Sequence, residues 1–128
     1  MKSIKSGIVA AVMSASLLTL PALAQADNFK IINSTHSELS FSINNNCENE
    51  FSSIPAHSNT IISDKDFKNA CKHDLHNCIA EIYTDNYCSG EHVATVVLDT
   101  DGGLKQVLKG GPYSYTWRPF NMMITEKV

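Results

Sequence analysis

Positive charge is scarce in this chain of 128 residues: ten Lys and Arg stand against thirteen Asp and Glu, a formal net charge of -3. A nucleic-acid binder shows a basic patch or stripe, so the balance argues against that class. Long apolar runs are missing after the first two dozen residues. A membrane-crossing helix needs about 20 apolar residues, so none is expected in the rest of the chain. There is no G-x-S-x-G elbow, no H-E-x-x-H pair and no P-loop. Without them the sequence carries no signature of an α/β-hydrolase, a zinc protease or a nucleotide-binding enzyme. Neither an internal repeat nor a low-complexity tail is present, which removes solenoid and disordered architectures.

What is present begins with a leader. Met1-Lys2-Ser3-Ile4-Lys5 is a short basic stretch, and the uncharged run GIVAAVMSASLLTL follows from Gly7 to Leu20, ended by Pro21. At 14 residues the run is too short to anchor in a bilayer as a helix. Ala22-Leu23-Ala24 and Ala24-Gln25-Ala26 both place small residues where signal peptidase requires them. A cleaved signal peptide is therefore expected over residues 1–24, or 1–26 by the second site, followed by a single domain over 27–128. Losing Lys2 and Lys5 leaves eight basic against thirteen acidic residues, or -5. No Cys follows the leader, so a lipid anchor at the new N-terminus is not expected. The remainder can bury one core but not a cofactor domain plus a substrate domain. The expected location is the periplasm or the exterior of the cell, with no stable membrane insertion.

The four cysteines, Cys47, Cys71, Cys78 and Cys88, all lie beyond the leader. An even count in a small exported domain points to two disulfides. Cys78 opens the strand-like run CIAEIYTD, and Cys88 sits in the turn-rich stretch that ends it. An extended 78–84 segment spans about 20 Å at ~3.3 Å per residue, whereas a disulfide needs Cα atoms within about 7 Å. Cys78–Cys88 is thereby disfavoured, and Cys47–Cys71 with it. Of the two remaining pairings, Cys71–Cys78 with Cys47–Cys88 is preferred.

The mature sequence reads as short strands separated by turn residues. Leu39 to Asn44 and Tyr113 to Arg118 alternate strictly between apolar and polar, and Phe120 to Thr125 nearly does. Such alternation marks a strand with one buried and one wet face. Phe29 to Ile32, Thr60 to Ser63, Cys78 to Thr84 and His92 to Leu98 are rich enough in β-branched and aromatic residues to join them, with Leu104 to Leu108 a weaker candidate. Asp101-Gly102-Gly103 is a hairpin signal; Gly110-Gly111-Pro112 and Pro119 mark further turns. Ser63-Asp64-Lys65-Asp66 ahead of Phe67 to Cys71 resembles a capped helical turn, with Ser63 or Asp64 as N-cap. The expected fold is all-β: an antiparallel β-sandwich of seven or eight short strands with one helical turn, stapled by two disulfides. A small closed barrel is the alternative.

Candidate chemistry is thin. In Cys71-Lys72-His73-Asp74-Leu75-His76-Asn77-Cys78 two imidazoles and two thiols lie within eight residues, a set that can hold zinc or copper. The spacing matches no usual zinc finger, and a disulfide between the thiols would leave His73 and His76 as the ligands, joined by His57 or His92. No other cofactor is implied. Asp64/Asp66 and Asp99/Asp101 fall at cap or turn positions where aspartate serves the backbone. Asp99-Thr100-Asp101-Gly102-Gly103 only faintly resembles a calcium loop, lacking the glutamate that closes one. Tyr113, Tyr115 and Trp117 share one side of a strand by their spacing. That side reads first as core and second as a binding face, with Arg118 beside it. Asn33-Ser34-Thr35 matches a glycosylation sequon and is read as a turn.

In leader, size and cysteine count the chain resembles small exported, disulfide-stapled β-sandwich proteins of Gram-negative bacteria; that likeness of type carries over no functional residue. The function expected is therefore that of a non-enzymatic exported module binding another macromolecule, a protein before any other class. A metal-binding protein using His73 and His76 is the second reading, and a small secreted hydrolase the third.

Overall fold

The computed structural model describes residues 27–128, so the leader lies outside the described residues. Eight strands follow in chain order: β1 Phe29–Ser34, β2 Leu39–Ile43, β3 Ser58–Ile62, β4 Cys78–Thr84, β5 His92–Asp99, β6 Gly103–Lys109, β7 Tyr113–Arg118 and β8 Asn121–Glu126. A helix, α1 at Asp64–Ala70, sits between β3 and β4, and a 3₁₀ turn covers Asn86–Cys88. The strands form two four-stranded sheets, ordered β3-β1-β8-β7 and β2-β4-β5-β6. Two separate sheets make a sandwich, not a closed barrel.

Period-two patterning decides which side of each strand faces in. In β1, Phe29, Ile31 and Asn33 are buried while Lys30, Ile32 and Ser34 point outward. In β8, Met122 and Ile124 are buried between Asn121, Met123 and Thr125. The neighbours pair antiparallel with one exception, β1 with β8, which run parallel with Ile31 opposite Met122 and Asn33 opposite Ile124. It is the one parallel pairing in the antiparallel-rich sandwich that was expected. The two-residue turn at Pro119 and Phe120 lies at the start of this pairing: the Phe120 carbonyl accepts from Lys30 N at 3.0 Å and its amide donates to Gly102 O at 2.8 Å. The β7–β8 hairpin is thereby seated on β1 and on the β5–β6 turn together. Gly103, at φ +93°, supplies the conformation that the latter turn needs, and a Cβ there would stand 3.0 Å from the Phe29 ring.

The core gathers four phenylalanines from four different segments. Phe29 stacks on Phe67 with centroids 5.0 Å apart, Phe41 on Phe51 at 5.5 Å, and Phe51 meets Phe67 edge-on at 5.8 Å. Phe51 and Ile54 enter from the segment between β2 and β3, where Leu39 and Ile54 exchange both backbone hydrogen bonds. α1 starts where Ser63 adopts extended backbone and its Oγ accepts from Asp66 N at 3.1 Å. Asp64 and Asp66 in the first turn suit the positive end of the helix dipole. The helix buries a single residue, Phe67, and closes at Cys71.

Two disulfides tie these pieces together: Cys71–Cys78 with Cα atoms 5.5 Å apart and Cys47–Cys88 at 5.9 Å. β4 is extended from Cys78 to Thr84, the condition that put Cys88 beyond the reach of Cys78. The first bridge joins the end of α1 to the start of β4 inside the core; the second pins the 3₁₀ turn to the loop after β2.

Candidate functional site

The aromatic run on β7 divides. Tyr113 is buried in the core, and Tyr115 packs partly against it while its hydroxyl donates to Gly110 O at 3.0 Å. Burial, helped by neighbouring Tyr113, pushes the Tyr115 phenol well above its ordinary pKa. Trp117 and Arg118 remain exposed, Trp117 at 45%. By register Trp117 opposes the buried Met122, so its parity is inward. It stays wet because β7 is the edge of its sheet and the far end of the strand has no neighbour beyond it.

Trp117 and Arg118 meet a surface built by the outward positions of this sheet. Across the strands, Ile61, Lys30, Asn121 and Arg118 form one row, and Asn59, Ile32, Met123 and Thr116 the next. Ile32, Met123 and Thr116 floor a shallow groove of about 480 Å³, with Trp117, Arg118 and Asn121 completing it. The outward strand positions of this sheet include Lys30 and Arg118 and no carboxylate. On a chain with more acidic than basic residues, this face carries two cations and the apolar Ile32, Ile61 and Met123 among uncharged polar side chains.

The histidines do not assemble as the sequence suggested. His73 lines a polar groove with Asn44, Asn69 and Lys72. His76 instead meets two residues of the β5–β6 turn: its Nδ1 is 3.0 Å from Asp99 Oδ1 and 3.5 Å from Asp101 Oδ2. The hydrogen bond to Asp99 raises the His76 pKa against the opposing effect of desolvation. Desolvation pushes the Asp99 carboxyl up, but hydrogen bonds from His76 and the Asp101 amide, with the charges of His76 and Lys105, outweigh it and hold the group below its usual value. His57 pairs with His36, ring nitrogens 3.3 Å apart, and His92 lies by Thr95 and Tyr83. Asp99 also performs its expected backbone task, accepting from Asp101 N at 2.8 Å. Its meeting with His76 spans 23 residues, and nothing local in the sequence signals it.

The sequon is not the turn expected: Asn33 and Ser34 end strand β1, and the bend begins only at Thr35. Asn33 is fully buried, its amide donating to Ser37 O at 2.9 Å and Ile54 O at 3.0 Å, and its oxygen accepting from Thr35 N at 3.0 Å and Thr35 Oγ1 at 2.7 Å.

These features define a class: a mostly β protein of two packed sheets stapled by two disulfides, covalent links that persist in oxidising compartments and point to an exported protein. Among the described residues, no helix is long and apolar enough to cross a membrane. No family model matches the chain, and no curated protein matches it in sequence. Among solved structures it is similar in fold to NttC, a type II secretion system substrate of Legionella pneumophila. The TM-score is 0.60 at 19% sequence identity, over 79% of this chain and 98% of that one.

Proposed function

We propose that this chain is an exported, non-enzymatic β-sandwich that binds a protein partner through the outer face of the β3-β1-β8-β7 sheet. The observation that carries the reading is the exposed Trp117 and Arg118 at a groove shared with Ile32 and Met123, on a face without outward carboxylates. Tryptophan and arginine are the side chains that most often anchor protein interfaces, and an apolar floor beneath them supplies the desolvated centre that such anchors need. Lys30 and Arg118 select a partner surface with carboxylates around an apolar residue. Export is supported by the two disulfides, by the leader-like residues 1–24, and by the fold shared with a type II secretion substrate. Action in the periplasm or outside the cell fits all three.

Trp117 is the only tryptophan in the chain and lines the groove, so its fluorescence reports events there. The test is cross-linking and capture from the exported compartment and the medium with the wild type, Trp117→Ala and Arg118→Glu in parallel. We expect one protein to be captured by the wild type and lost with both variants, and that protein, once purified, to shift Trp117 emission. Capture that both variants leave intact would remove the face from the function, and no capture by the wild type would count against a protein partner altogether.

A further inference from the structure

Beside the Cys71–Cys78 bridge, three donor atoms from two separate stretches of chain meet at the surface. His76 Nδ1, Asp99 Oδ1 and Asp101 Oδ2 approach at nitrogen–oxygen distances of 3.0 and 3.5 Å, and ligand atoms of the three residues lie within 4.8 Å of one another. Nitrogen and oxygen ligands at about 2.0–2.2 Å from a tetrahedral ion stand about 3.3–3.5 Å apart. The two distances bracket what one shared ion would set.

The stretch that carries His76 is held to the hairpin by contacts that owe nothing to the imidazole. Lys105 Nζ donates to His76 O at 3.0 Å and to Asn77 Oδ1 at 2.8 Å, and Thr100 N donates to Leu75 O at 2.8 Å. The donors are thus presented together before any ion arrives, which lowers the ordering cost of binding. Two carboxylates and a neutral imidazole match a divalent charge. The mixed nitrogen and oxygen set suits a first-row transition ion, whereas calcium takes about six to eight oxygens. The Lys105 ammonium opposes a cation here, so the site is weaker than a four-ligand structural zinc. A competing location exists in the His36–His57 pair, with nitrogens 3.3 Å apart, but it offers two donors where His76, Asp99 and Asp101 offer three.

We propose that His76, Asp99 and Asp101 form a binding site for a divalent first-row transition ion, which ties the loop between Cys71 and Cys78 to the β5–β6 hairpin. The ion takes the place of the proton shared by His76 Nδ1 and Asp99 Oδ1, the ring keeps its other proton on Nε2, and water fills the fourth position. This site is independent of the outer-sheet face and stands or falls without it.

Zinc is the probe. It is titrated into the oxidised exported protein by calorimetry, with histidine ring signals followed by NMR. The expected result is one ion per chain, the largest ring shifts at His76, and a rise in melting temperature on adding zinc. Asp101→Asn, His76→Gln and Asp99→Asn each weaken binding by at least about tenfold and abolish the thermal shift, while the double variant His36→Gln/His57→Gln keeps both. Asp101 is the cleanest probe, since its side chain is 71% exposed and its removal leaves the His76–Asp99 contact in place. No saturable binding below millimolar zinc overturns the site. So does binding that survives Asp101→Asn and His76→Gln and disappears in the His36/His57 variant.

Discussion

Replacing Phe67 with alanine removes the one side chain by which α1 enters the core. The ring is fully buried, stacked on Phe29 at 5.0 Å and 18° and edge-on to Phe51 at 5.8 Å. Deleting a buried phenylalanine costs about 3–5 kcal/mol, from lost transfer free energy and the cavity left behind. Two facing rings on other segments limit collapse, which favours the upper half of that range. Phe67→Leu keeps apolar contact and loses the stacking, at about 1–1.5 kcal/mol. Ser63→Ala removes only the helix cap, at about 1 kcal/mol. The helix is therefore held by packing more than by capping, as expected for seven residues. The assay is urea unfolding of the oxidised protein followed by far-UV circular dichroism. At a slope of about 1.5 kcal/mol per molar urea, Phe67→Ala lowers the midpoint by about 2.7–3.3 M and Phe67→Leu by about 0.7–1 M. Should Phe67→Ala leave too little folded protein to titrate, the order of Phe67→Leu and Ser63→Ala against wild type still tests the account. The reasoning is refuted if Phe67→Ala costs no more than Ser63→Ala.

Three further outcomes follow from the structure. Cys47→Ala/Cys88→Ala opens a loop closed across a separation of 41 residues, and chain entropy sets the loss at about 4 kcal/mol, against about 2.5 for closing the shorter Cys71–Cys78 loop; chemical denaturation of the double variant checks it, and a loss under ~1 kcal/mol contradicts it. Asn33→Ala strands the Thr35 amide in a buried turn and costs about 1–3 kcal/mol, measured by calorimetric melting, with an unchanged melting temperature counting against the network. In protein treated with chelator, the His76 ring titrates above the ordinary 6.5 by NMR, and Asp99→Asn brings it down. A raised histidine pKa stabilises fully below 6.5 and fades as pH rises through the folded value, and a lowered Asp99 pKa stabilises above 3.8 and fades as pH falls through its folded value. The pair therefore acts most between those limits, and a His76 midpoint at or below 6.5 contradicts its geometry.

The strands were legible because alternation and β-branched runs act locally: every segment read as extended overlaps a strand, including the weaker Leu104 to Leu108, with only Asn44, Ser63 and Phe120 falling just outside. The Ser63 cap was legible for the same reason. The stiffness of one strand put Cys88 too far from Cys78 and removed one of three disulfide pairings; between the other two the sequence offered a preference, which the structure matches. Partners were not legible where they depend on the whole sheet. Alternation marks β1 and β8 as strands but carries nothing about their running parallel. Phe51 and Ile54 are fully buried, yet they lie in a polar segment without period, so no pattern marks them as core. Trp117 keeps the inward parity that its spacing predicts and is still exposed, because parity says nothing about whether a neighbour covers the end of an edge strand. Asp99, read as a turn residue, ends β5 and accepts the hydrogen bonds of the turn that follows; its second role depends on a histidine carried inside the Cys71–Cys78 loop.

The strand order also sets when the molecule can finish folding. Three of the four strands in the β2-β4-β5-β6 sheet follow one another in the chain, so that sheet can form by local zipping. The other sheet has the first and last strands of the described chain side by side at its centre. Its interior cannot close until residues 121–126 arrive, some ninety positions after β1, and such distant pairing is slow. A chain emerging N-terminus first, from a ribosome or through a membrane, holds Phe29 and Ile31 without the strand beside them until residues 121–126 are out. During that interval β1 is an apolar segment open to aggregation or to a chaperone. The two disulfides point to an exported protein, and that delay is compatible with transit in an unfolded state.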